Sequence, residues 1–244
     1  MSLVLVGLGA VFGGFVQGVS GFAFGMVALA FWAWTLEPHL AGALVVLGSL
    51  LSHFFSIGSV SRTIDVRKLA PFVAGGALGI PVGVFLLHRI DPTAFKAGVG
   101  ALLAVYCPVA LVARNRAAFT GAGWFADALV GSVGGVMGGI SGLAGPPSTL
   151  WCTMRGWDQN TQRGVYQTYN LAMQIFAFVA FVASGVIVPK TLQLFAFIVP
   201  AIVVSAFAGA KVYKLMSPET FRRVILGLLT ASGIALLAST LGHH

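Results

Sequence analysis

A serine set between glycines occurs twice in this chain, in Gly18-Val19-Ser20-Gly21 and in Gly139-Ile140-Ser141-Gly142. Two chemistries use such a run. A nucleophilic serine, as in an intramembrane serine protease, needs a histidine base within hydrogen-bond reach on another helix. Downstream of Ser141 the only histidines are the terminal His243 and His244, and Ser20 would depend on His53. A neutral anion cradle needs only donors: the hydroxyls of Ser20 and Ser141 and the amide of Gln17 supply them without burying a fixed charge. A duplicated nucleophile has no catalytic rationale, whereas a duplicated cradle does.

The second run continues as Gly142-Leu143-Ala144-Gly145-Pro146-Pro147-Ser148-Thr149. Proline suits the first turn of a helix, so a helix is expected to start at Gly145 and Pro146, with Ser148 in its first turn. Its N-terminus would aim free N–H groups and about half a positive charge at the break. Gln167, Asn170 and Gln174 fall at i, i+3 and i+7, one helical face. The matching earlier segment has Ser49, Ser52, His53 and Ser56. His53 either carries a proton or hydrogen-bonds a serine or carbonyl. Arg163 either clamps an anionic head group with its fork of donors or is an inside-loop charge. The expected binding set is therefore Gln17, Gly18, Ser20, Gly21, Gly139, Ser141, Gly142, Gly145, Pro146, Ser148, Arg163, Asn170 and Gln174. Asp127 reads as interfacial, and Trp32, Trp34, Trp124, Trp151 and Trp157 as interface anchors.

The elements that hold these residues are set by lipid. Of 244 residues, 58% are hydrophobic and 8% charged, against roughly 25% charged in a soluble domain. The net charge of +8 is scattered through short connections rather than gathered on a basic face, which argues against nucleic acid. Cys107 and Cys152 have no metal-ligand spacing and read as packing residues. No metal or other cofactor is called for. The N-terminus lacks a basic n-region and an A-x-A site, so no cleaved signal is expected. Residues 243–244 read as a tag remnant.

A spanning helix needs about 20 apolar residues. Apolar blocks fall at 3–36, 40–60, 69–88, 94–113, 124–154, 165–187, 191–213 and 221–241. The first and fifth are too long for one crossing, and both contain the glycine-serine runs. They also repeat each other: the segment from Gly13 to Ala23 reappears from Gly134 to Ala144 at an offset of 121, and Glu37, Ser49 and His53 fall on Asp158, Asn170 and Gln174. Asp91-Pro92-Thr93-Ala94-Phe95 then matches Ser217-Pro218-Glu219-Thr220-Phe221 at an offset of 126. Two tandem units follow, 1–118 and 119–242.

Loop charge orients them. If every block simply crosses, Lys and Arg divide six against eight. If the first and fifth blocks each enter and return, Arg62, Arg67, Lys68, Arg114, Arg116, Arg155, Arg163, Lys211, Lys214, Arg222 and Arg223 share one side, and only Arg89, Lys96 and Lys190 lie on the other. Eleven against three satisfies the positive-inside rule. The expected fold is all-α and polytopic: two inverted repeats, each a Gly-rich hairpin of two half-length helices followed by three transmembrane helices, with both termini periplasmic.

These features together resemble the TauE/SafE family of sulfite and organosulfonate exporters. The likeness rests on the twofold repeat, on GGFVQGVSGF and GGVMGGISGLAGPP opening the halves, and on the D/S-P-x-x-F turn before each last helix. Where many relatives place a Gly-Thr-Ser run, this chain has Arg163-Gly164-Val165-Tyr166-Gln167-Thr168. The resemblance implies export of a small sulfur-containing anion, such as sulfite or sulfoacetate, across the bacterial inner membrane, and no enzyme activity. A passive anion channel with the same cradle is the alternative. Oligomeric state is not legible.

Overall fold

The structure is a computed structural model that describes residues 2–20, 23–56, 64–113, 119–212 and 218–241, and the side chains of all of these but 20, 54–56, 113, 218–222 and 241. Gly21 and the 243–244 pair therefore lie outside the described residues. The described residues form ten helices: α1 (Leu3–Ser20), α2 (Phe24–Trp32), α3 (Pro38–Ser56), α4 (Val66–Leu87), α5 (Pro92–Ala113), α6 (Trp124–Ser141), α7 (Gly145–Met154), α8 (Gln159–Ala183), α9 (Pro189–Val212) and α10 (Pro218–Leu241). Helices α4, α5, α8, α9 and α10 are long and apolar enough to cross a membrane. The chain is a multi-pass membrane protein.

Both overlong blocks are broken where the glycines predict, and in both the chain turns back on itself. Phe24 N–H donates to Gln17 Oε1 at 3.0 Å near the turn, and Trp32 Nε1 donates to Val6 O at 3.0 Å at the far end, so α2 runs antiparallel to α1. The legs are unequal, contrary to the expected half-length pair. α1 and α6 have 18 residues each, while α2 has nine and α7 ten. At about 1.5 Å per residue the long legs run nearly the depth of a bilayer and only the short legs stop midway.

The long legs owe their length to glycine seams. On α4, Cβ atoms at Gly75, Gly79 and Gly83 would collide with the carbonyls of Ala128, Ser132 and Val136 on α6, and Cβ atoms at Gly131, Gly135 and Gly139 would collide with those of Phe72, Gly76 and Ile80. Contacts advance four residues at a time on both helices, so α4 and α6 run parallel, backbone on backbone, as small-xxx-small packing allows. The α1–α9 contact has the same form: Gly14 meets Ile202, Gly18 meets Ala206, and Gly209 meets Phe15, each through the carbonyl. Under the offsets of 121 and 126 these pairs fall on Gly135 with Gly76, Gly139 with Ile80, and Gly83 with Val136. α5 packs against α10.

Helix α8 starts at Gln159, six residues before its apolar block. Asp158 caps it, accepting from Asn160 and Thr161 N–H at 3.1 Å each, so polar residues enter the first turns. The Thr161 hydroxyl, then the backbone N–H groups, hold this carboxyl below the usual carboxylate range. A lowered carboxyl contributes stability above its unfolded pKa and loses it as pH falls through the folded one. Asp158→Ala, or acidification through that range, is expected to speed amide exchange at Asn160 and Thr161; unchanged exchange would dismiss the cap.

Candidate functional site

Both hairpins reach Val45 of α3. A Cβ on Gly25, just past the first turn, would lie 2.8 Å from Val45 Cγ1 and 2.7 Å from Leu143 Cδ2, while one on Gly142 in the second turn would lie 2.7 Å from Val45 Cγ1. Gly142 has a left-handed backbone, φ 73°, and its N–H closes α6 on Gly138 O at 2.8 Å. No L side chain adopts that conformation without strain.

Helix α8 lays its polar face on the second turn. Gln174 Nε2 donates to Gly142 O at 2.7 Å. One helical turn earlier, a Cβ on Gly145 would lie 3.0 Å from Asn170 Nδ2 and 3.2 Å from its Oδ1. Asn170 is the twelfth of 25 residues in α8, which puts it about midway along the helix. Both atoms of its amide are buried without a partner, as are Gln174 Oε1 and Thr149 Oγ1. An unsatisfied buried polar group costs about 1–3 kcal/mol, so the orphaned amides of Asn170 and Gln174 make this face of α8 the candidate site. Thr149 was missed in the sequence; its signal was its place one turn past Gly145 in the Gly-Pro-Pro-Ser-Thr run.

On the first turn Gln17 is fully buried; its Oε1 caps α2 while its Nε2 has no partner. On α3, His53 Nδ1 lies 2.8 Å from Ser49 O. A carbonyl accepts, so Nδ1 carries hydrogen and the neutral ring leaves Nε2 as a bare, buried acceptor.

Several expected donors are already engaged. Ser141 Oγ donates to Met137 O at 2.9 Å and Ser148 Oγ to Gly145 O at 3.0 Å, so neither proton is free for an anion. The α7 first turn is also poorer in donors than expected. Its N-cap is Ala144 and its first residue Gly145, and Pro146 and Pro147, which follow, have no N–H. Gly18 and Gly139 lie in the α1–α9 and α4–α6 seams. Arg163 is half-buried, seven residues before Asn170, about 10 Å along the axis. The structure thus brings together Gln174, Asn170, Gly142 and Gly145; the side chain of Ser20 lies outside the described ones.

A second polar cluster, at the far end of the α6–α7 pair, is a closure. Asp127 Oδ1 accepts from Trp151 Nε1 at 2.7 Å and Oδ2 from Arg155 Nη2 at 3.1 Å. Arg155 also donates to Phe119 O at 3.0 Å and Thr120 O at 3.3 Å, and its guanidinium lies 5.0 Å from the Trp157 ring centroid. Asp127 is therefore buried in an ion pair in the first turn of α6. Trp32, which is fully buried and so no lipid anchor, and Trp151 tie their hairpins shut through hydrogen bonds to positions 6 and 127, which are 121 residues apart. Trp34 and Trp124 are exposed.

The family model described as sulfite exporter TauE/SafE matches residues 6–236. No curated protein and no solved structure matches the chain.

Proposed function

Because the chain belongs to the TauE/SafE sulfite exporter family, a family of membrane transporters rather than enzymes, we propose that it carries a small sulfur-containing anion, sulfite, sulfoacetate or a related sulfonate, outward across the bacterial inner membrane by alternating access. The observation that carries this reading is the unpartnered amide of Asn170, buried against Gly145 about midway along α8, where that helix packs on the second hairpin turn. Backbone released from helical bonding is tolerated at membrane depth only in protein or beside a wet cavity, and transporters place such breaks at the substrate.

In this reading the halves are inverted repeats and both termini are periplasmic. The parallel α1–α9 and α4–α6 seams support the inversion, as does the eleven-to-three division of loop cations. The bodies that rock are then α1–α2–α9 and α4–α6–α7, each joining a hairpin from one half to a helix from the other, because backbone-on-backbone seams cannot slide.

The test is selective loss of binding. In Gly145→Ala the new Cβ presses on the flexible Asn170 amide rather than on backbone, so folding is expected to survive while affinity for the best ligand among sulfite, sulfoacetate, sulfolactate, taurine and thiosulfate falls at least tenfold. Asn170→Ala is expected to do the same. Wild-type affinity in both variants would remove this site from the mechanism. Uphill flux in proteoliposomes separates carrier from channel; conduction at channel rates would refute the carrier.

A further inference from the structure

The site described above is neutral and has both hands of hydrogen bonding to offer. Of the unpartnered atoms at the second turn, Asn170 Nδ2 is a donor and Asn170 Oδ1 and Gln174 Oε1 are acceptors; Thr149 Oγ1 on α7 and Gln17 Nε2 on α1 are further unpartnered donors. The orientation of Gln174 is settled by its own Nε2, which donates to Gly142 O. Asn170 is only 3% exposed. An anion made solely of acceptor oxygens would satisfy the donors and set its lone pairs against those of the two amide oxygens. A ligand that fits carries a proton of its own.

Charge points the same way. The four stretches that carry the turns or pack against them, 1–36, 38–61, 128–154 and 164–189, contain no Lys, Arg, Asp or Glu. The bordering charges flank these stretches: Glu37 before α3, Arg62 and Asp65 between α3 and α4 in the sequence, Arg67 and Lys68 at the start of α4, Asp127 near the start of α6, Arg155 and Asp158 between α7 and α8, Arg163 in the second turn of α8, and Lys190 at the start of α9. Arg155 is committed to Asp127. The titratable groups on α3 are His39 in its first turn and His53, whose Nδ1 is tied to Ser49 O; α1 and α2 have none. The cost of taking an ion out of water rises with the square of its charge, so a dianion meets about four times the penalty of a monoanion, with amide dipoles alone to offset it.

We propose that the site takes its substrate as a singly charged oxyanion bearing its own hydrogen-bond donor, so that a dibasic acid such as sulfite is bound as hydrogensulfite and the dianion is refused. This rests on the binding reading of Asn170 and Gly145, adds to it the protonation state of the cargo, and narrows the candidates of that reading by leaving out sulfoacetate, a dianion at neutral pH. One consequence is that the acidic proton leaves with the anion, and a single negative charge moves per turnover.

The experiment is binding to the full-length protein in detergent with sulfite, with methanesulfonate as a permanent monoanion lacking a donor, and with sulfate as a permanent dianion at neutral pH, between about pH 5.5 and 8.5. Sulfite affinity is expected to fall about tenfold per pH unit once hydrogensulfite deprotonates. Methanesulfonate is expected to bind more weakly but evenly across the range, and sulfate at least about 100-fold more weakly than hydrogensulfite. The same slope is expected in His53→Gln, because the proton belongs to the ligand. Sulfate binding on a par with hydrogensulfite, a flat sulfite profile, or a slope abolished by His53→Gln would each overturn the proposal. Asn170→Ala separates it from its premise: retained binding with the same pH slope would move the site elsewhere and leave the charge selectivity standing. Failure of all three anions to bind would refute both.

Discussion

Gly135→Leu is expected to leave little folded protein, with a loss on the order of 3 kcal/mol or more in an unfolding titration with denaturing detergent. The reason lies in what the new side chain would strike. At most core sites an added methylene displaces a side chain into another rotamer. At Gly135 the obstacle is the Gly76 carbonyl, with the Gly76 Cα and carbonyl carbon behind it at 2.7 and 2.8 Å from the Cβ position. Backbone has no rotamers, so α4 and α6 must separate along the whole seam, which also opens the contacts of Gly131 and Gly139. Gly14→Leu is expected to act alike on α1 and α9, since a Cβ there lies 2.8 Å from the Ile202 carbonyl oxygen. The control is Gly98→Ala in α5, where nothing lies within 4 Å of the new methyl. There the helix should gain up to about 1 kcal/mol from the lower backbone entropy of alanine. If Gly135→Leu unfolds at the wild-type midpoint, the seam is not what joins the two helices.

Asp127→Ala is expected to cost about 3–5 kcal/mol, because it leaves the Arg155 guanidinium buried with no countercharge. The side chains of Arg155 and Asp127 are 10% and 5% exposed, so water cannot substitute for the carboxylate. The same change orphans the Trp151 indole N–H. Asp127→Asn retains an acceptor for Trp151 and should fall between. The double variant Asp127→Leu with Arg155→Met removes both charges, and most of the loss should return, because replacing a buried pair with apolar groups of similar volume is often neutral. A double-mutant cycle without that recovery would show that Asp127 and Arg155 act separately.

The break points of the hairpins were legible because lipid leaves little freedom: an apolar run above 30 residues must turn back, and it turns where Gly and Pro permit. The antiparallel course of α1 against α2 was likewise legible, through loop cations. The depth of each leg was not. An 18-residue α6 beside a ten-residue α7 depends on how far α6 follows α4, a tertiary fact. That Gly18 and Gly139, expected in the cradle, lie in the seams was not legible, because a glycine that admits a ligand and one that admits a helix look alike in isolation. The four-residue spacing of Gly131, Gly135 and Gly139, matched by Gly75, Gly79 and Gly83, was the available discriminator. Asp127, Trp151 and Arg155 were read singly since 24 and 28 residues separate the partners. That Asn170 and Gln174 turn inward was legible, as amides at membrane depth seldom face lipid.

The seams also set a timetable for synthesis. α6 emerges with its partner already made: 59 residues separate Gly76 from Gly135, a delay of roughly 3–12 s at the usual rate of elongation. α1 must wait for α9, since 188 residues separate Gly14 from Ile202, which is roughly 10–40 s. Through that interval the first-made hairpin has its glycine face uncovered in the membrane, open to the insertase, to a chaperone or to a wrong neighbour. The earlier of the two hairpins is thus the later to be enclosed.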